Sequence, residues 1–98
     1  MSMKERTQIL ELLRTLKPSL QTEYPLHGLA LFGSYARDEQ RPNSDVDILV
    51  EVDPSIGLRF VELAERLEHS LGEHVDLVSR RAVKPAMLKQ IESELIHV

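Results

Sequence analysis

Ninety-eight residues without a cysteine suggest one domain, residues 1–98, and exclude disulfides, thiolate nucleophiles and cysteine-ligated metals. A formal net charge of −4 argues against a broad nucleic-acid-binding face, so no direct nucleic-acid partner is expected. No apolar run approaches the roughly 18 residues of a membrane span, and "MSMKERTQ" lacks the apolar core of a signal peptide; no membrane partner and a cytoplasmic location are expected.

Residues 2 to about 20 read as an amphipathic helix. Ser2-x-x-Glu5 has capping-box spacing, Ile9, Leu12, Leu13, Leu16 and Leu20 share one face, and Pro18 marks the expected end. "LHGLALF" (26–32) is of strand length and closes on Gly33. "DVDILVEV" (45–52) is a second strand, ended by Asp53-Pro54. Ser55 can cap a helix over 57–71, with Phe60, Leu63, Ala64, Leu67 and Leu71 as its apolar stripe and Gly72 at its end. "HVDLVS" (74–79) reads as a third strand, 85–93 as a last helix and 95–98 as a short terminal strand. This alternation predicts an α+β (two-layer α/β) fold, a small mixed sheet with helices packed on one face.

Asp45 and Asp47 are the residues that fit least well in a core strand. At positions i and i+2 they project to the same side, about 6.5 to 7 Å apart at their Cα atoms, while Val46, Ile48 and Val50 face the helices. Converging carboxylates repel unless a cation lies between them, and Mg²⁺ typically shares one or two carboxylates with substrate phosphates. Two such ions about 4 Å apart stabilise the attacking and leaving oxygens of an in-line phosphoryl displacement. Gly33 lets backbone approach a ligand, Ser34 offers a hydroxyl and opens a short helix, and Arg37 lies one turn on, within reach of the same anion. Asp76, in the next strand, can approach the same metal or take a proton from an attacking hydroxyl. An Asp-x-Asp or a Gly-Ser alone is commonplace; a strand, Gly-Ser, ten residues, then Asp-x-Asp and a third acid one strand later is specific. No Gly-Lys-Ser/Thr is present, which excludes a Walker A loop, and an EF-hand would need glycine where Val50 stands.

Gly-Ser-x10-Asp-x-Asp, within "GSYAR…RPNSDVDILVEV", resembles the motif of the DNA polymerase beta-like nucleotidyltransferase superfamily. Over essentially its full length the chain is similar to the minimal nucleotidyltransferases (MNT domain). The resemblance implies a small mixed sheet with helices on one side and the active site on the other. It implies that Gly33 and Ser34 hold the nucleotide triphosphate, that Asp45 and Asp47 ligate Mg²⁺, and that Asp76 completes the metal site and helps activate the acceptor hydroxyl. Asp38 departs from the family pattern, in which many members carry glycine. The family further implies an antitoxin paired with a HEPN-domain ribonuclease toxin, transferring AMP from ATP to a tyrosine hydroxyl of that toxin. No acceptor-binding domain is read in this chain, so the HEPN protein would supply the acceptor. Two alternatives stay open: a non-catalytic antitoxin acting by binding alone, and a nucleotidyltransferase for small molecules.

The other polar residues carry less information. His27, His69, His74 and His97 lack metal-ligand spacing, with His74 nearest to a proposed site residue. Tyr24 and Tyr35 are candidates for base stacking or self-modification, with packing the simpler role. Arg41 and Arg80 are candidates for phosphate or partner contacts. Arg80, Arg81, Lys84 and Lys89 leave room for a local positive patch on a solvated surface.

Overall fold

The structure is a computed structural model that describes residues 4–98. The Ser2 half of the expected capping box lies outside these residues. Helix α1 runs over Arg6–Glu23, later at both ends than its sequence suggests. At its start the Gln8 side chain reaches back to accept the Glu5 backbone N–H at 2.8 Å. Pro18 sits inside the helix rather than ending it. Its missing N–H would have bonded to the Arg14 carbonyl. Both residues are exposed, so that carbonyl faces water and the cost of the break is small. The helix continues because Leu20 beyond the proline is fully buried and holds the last turn against the core.

Strand β1 (Leu26–Phe32) leads into the single-turn helix α2 (Gly33–Ala36), and β2 (Val46–Val52) returns antiparallel beside β1. A 3₁₀ turn at Pro54–Ile56 precedes α3 (Arg59–Leu71). The Asp53 carboxylate, not Ser55, supplies the side-chain cap there, accepting the Ser55 N–H at 2.9 Å. Gly72 ends α3 in the left-handed conformation at φ 67°, as its position predicts. Strand β3 (Val75–Ser79) pairs parallel with β2, a second 3₁₀ turn covers Arg80–Ala82, and α4 (Pro85–Glu92) leads to the two-residue β4 (Ile96–His97). The sheet order is β3-β2-β1-β4.

Alternation along β2 decides what each face does. Val46, Ile48 and Val50 are fully buried and join Ile9, Leu13 and Leu20 of α1 with Leu63, Leu67 and Leu71 of α3 in the core. Asp47, Leu49 and Glu51 face the other way. That second face is not left bare: α4 stands over it, and Arg80 ties Glu51 (3.1 Å) to Glu92 of α4 (3.4 Å). Arg80 is thus held between two carboxylates of its own chain. Leu67, fully buried on the middle turn of α3, is expected to cost about 3 kcal/mol when cut to alanine, read as a lowered urea midpoint with an unchanged slope. A loss below about 1 kcal/mol would mean that α3 is not seated as described.

Candidate active site

Phe32, Gly33, Ser34, Arg37, Asp45 and Asp47 line one wall of an open cleft of about 660 Å³; Met87, Gln90, Ile91 and Glu94 line the other. This volume is within the range of small-ligand sites, roughly 300 to 1,000 Å³. A somewhat larger groove between the end of α1 and α3 is a poorer candidate. Its arginines are paired with acids of the same groove, Arg66 with Glu23 and Arg59 with Glu62, and its lining includes neither the Gly-Ser turn nor an aspartate.

The acidic wall is built by strand register. Asp47 is the cross-strand partner of Phe32 on one side and of Asp76 on the other. Asp45 precedes β2 by one residue and lines the same cleft. Asp76 is exposed and lies beside Asp47 at the β3 edge rather than in the cleft wall. Burial pushes the Asp47 carboxyl up to about 6, and the charges of Asp76 and Asp45 push the same way, with Glu94 adding to them and Arg37 opposing. A half-buried acid crowded by like charges is the arrangement that a bound cation relieves.

Gly33 has a role that its sequence position alone does not show. Its φ is +77°, and a Cβ placed on it would lie 2.0 Å from Oδ2 of Asp47. The missing side chain is therefore the space that the Asp47 carboxylate occupies. The turn after it is equally well defined. Glu39 N–H bonds to the Ser34 carbonyl (2.8 Å) and Asp38 N–H to that of Tyr35 (3.2 Å), the two bonds of a Schellman ending. Asp38 takes the left-handed position of that motif at φ 60°. This explains why a glycine suits the site, and why aspartate, which tolerates this region, can replace it. Asp38 is exposed and outside the cleft lining, so its charge is directed to solvent.

This geometry has known counterparts. A nucleotidyltransferase-domain profile matches residues 13–98. The chain belongs to the nucleotidyltransferase family. Among its relatives is the protein adenylyltransferase MntA of Thermococcus cleftensis, 38% identical over 100 residues with both chains fully covered. A crystal structure of a toxin-antitoxin with AMP-PNP matches with TM-score 0.68 and 32% identity, covering 96% of this chain and 72% of that one. A structure of the tri-AMPylated Shewanella oneidensis HEPN toxin in complex with MNT antitoxin matches with TM-score 0.59 and 29% identity, covering 94% and 66%.

Within this nucleotidyltransferase fold the structure brings Gly33, Ser34, Arg37, Asp45 and Asp47 together, with Asp76 adjoining. It also adds two residues. Nδ1 of His74 lies 3.0 Å from Oδ1 of Asp45, and the His74 carbonyl accepts the Val46 N–H at 2.8 Å, so the residue before β3 braces the start of β2. Glu94 accepts the Gly33 N–H at 3.2 Å and an Arg37 Nη1–H at 2.8 Å. Neither tyrosine is presented to a ligand: Tyr24 and Tyr35 are 5% and 1% exposed. The Tyr24 hydroxyl donates to Glu62 at 3.0 Å and the Arg59 guanidinium covers its ring. Both belong to packing, not to base stacking or self-modification.

Among the described residues no three acids or histidines converge into a metal-binding cluster. The donor set nevertheless fits Mg²⁺, which takes oxygen ligands and needs only one or two protein carboxylates when substrate phosphates supply the rest. No helix among the described residues is long and apolar enough to cross a membrane.

Proposed function

We propose that this chain is a protein adenylyltransferase that transfers AMP from ATP to a tyrosine hydroxyl of a HEPN-domain toxin, and so acts as its antitoxin. The observation that carries this reading is the seating of Asp47 against Gly33, with Asp45, Ser34 and Arg37 on the same wall of the cleft. It is supported by the full-length likeness to MntA and by the AMPylated HEPN toxin seen with a related antitoxin.

In this reading Ser34 and Arg37 orient the triphosphate, while Asp45 and Asp47 hold Mg²⁺. Bound there, Mg²⁺ would neutralise phosphate charge as it develops in the transition state. The acceptor oxygen forms a bond to the α-phosphorus, the bond from that phosphorus to the bridging oxygen breaks, and pyrophosphate leaves. In the same reading Asp76, exposed beside Asp47, would take the proton from the attacking hydroxyl. A reaction fed by ATP and aimed at an intracellular ribonuclease belongs in the cytoplasm.

The test mixes the protein with its HEPN-domain partner, Mg²⁺ and α-labelled ATP, with an Asp45→Asn/Asp47→Asn variant as control. Label on a partner tyrosine, absent with the variant, is the expected result. A complex formed equally well by both proteins, without label, would replace the catalytic reading with neutralisation by binding alone. Label appearing only on hydroxylated small molecules would replace the acceptor.

A further inference from the structure

Glu94 stands where a substrate anion is expected. Its carboxylate takes one hydrogen bond from the Gly33 backbone and one from the Arg37 guanidinium, at 3.2 and 2.8 Å. These are two of the groups proposed to meet the triphosphate. Register explains how it gets there. β4 pairs antiparallel with β1, Ile96 with Leu31 and His97 with Ala30, and extending that ladder by two residues sets position 94 opposite Gly33. The segment is anchored without Glu94, because the Val98 N–H bonds to the Leu29 carbonyl and Lys17 donates to the Val98 carbonyl. The Glu94 side chain is therefore an addition to this anchorage, in a turn tied back to α4 by the Glu94 N–H to the Ile91 carbonyl at 2.9 Å and the Ser93 hydroxyl to the Gln90 carbonyl at 2.7 Å.

We infer that Glu94 is an internal competitor for the nucleotide: its carboxylate occupies the Gly33–Arg37 anion seat in the free protein and must swing out for the triphosphate to enter. A carboxylate and a phosphate cannot share two donors, and the carboxylate also places a negative charge beside Asp47, where the triphosphate brings more. Arg37 loses little by the exchange. Its Nε–H keeps Glu39 at 2.8 Å, leaving Nη1 to trade one oxyanion for another. Glu94 thus sets nucleotide affinity, because only the fraction of molecules with the seat open can bind. The inference rests on the nucleotide reading of the cleft.

The experiment is a calorimetric titration of the full chain and its Glu94→Gln variant with AMP-PNP and with tripolyphosphate, each with Mg²⁺. Glutamine keeps the size and loses the charge, so the variant is expected to bind both ligands about tenfold tighter. Equal or weaker binding by the variant would overturn the inference and make Glu94 a support for Arg37. Absence of AMP-PNP binding by both proteins would overturn the nucleotide reading itself. If the variant fails to fold, the wild-type protein decides by NMR. Tripolyphosphate should shift the Gly33 amide and move the Glu94 side-chain carboxylate carbon to the position of a free carboxylate. A Gly33 shift with an unmoved Glu94 carboxylate overturns the inference.

Discussion

Asp47→Asn is expected to abolish transfer while making the free protein harder to melt. The two effects have one cause. Asp47 is held half-buried among Asp45, Asp76 and Glu94, with Arg37 as the opposing charge, and its carboxyl is pushed up to about 6. The folded protein therefore binds this proton more tightly than the unfolded chain does. Its contribution to stability is present below pH 4 and is lost as pH rises through about 6. At neutral pH the ionised group strains the fold by about 1 kcal/mol once solvent screening at a partly exposed carboxylate is allowed for. Asparagine removes that charge, so without metal the variant should melt about 4 °C higher at pH 7.5 and match the wild type near pH 4. Mg²⁺ should raise the wild-type midpoint and leave the variant's unchanged. Activity should fall by at least about a hundredfold, since a cation held by this carboxylate is worth several kcal/mol to the transition state. A variant that melts lower at pH 7.5 would show that Asp47 is a structural acid and not one kept under repulsion for its chemistry.

Such repulsion is what made the site legible. An Asp at i and another at i+2, opening a strand whose alternate residues are Val46, Ile48 and Val50, has no place in a core, and the structure puts both acids on the cleft side. Strong periodicity likewise predicted α3, its buried leucines and its Gly72 ending. The readings that failed were those that tertiary contacts decide. Pro18 looked like a terminus because local chemistry disfavours it, yet burial of Leu20 carries α1 past it. Glu94 carried no signal because it is placed by a two-residue strand too short to show alternation. α4 looked like one more helix for the packed face, and only the cleft lining and the Arg80 bridge to Glu92 show it on the other. His74 was nearest the mark, one residue before β3, but its contact with Asp45 depends on the parallel register of β2 and β3.

Gly33→Ala is expected to be the most damaging single-methyl change in the molecule. Alanine at φ +77° costs about 1 to 2 kcal/mol in backbone strain alone. Its Cβ would also lie 2.0 Å from Oδ2 and 2.8 Å from Cγ of Asp47, so the carboxylate has to leave its seat or the β1 end has to shift. The total loss should be about 3 kcal/mol, measured by chemical denaturation. Transfer should fall at least about a hundredfold even in the fraction that remains folded, because a displacement of about 1 Å at a reacting centre has that effect. The clash and the strain can be separated. In Gly33→Ala/Asp47→Ala the carboxylate is gone, leaving the strained φ and a 3.1 Å approach of the two Cβ atoms, so stability should return by about 1 to 2 kcal/mol relative to Gly33→Ala. Ser34→Ala, one residue on, touches neither effect; it should retain the wild-type melting point and lose only nucleotide affinity. If the effects of Gly33→Ala and Asp47→Ala on stability, of whichever sign, simply add in the double variant, Gly33 and Asp47 are not in contact, and the glycine serves the turn alone.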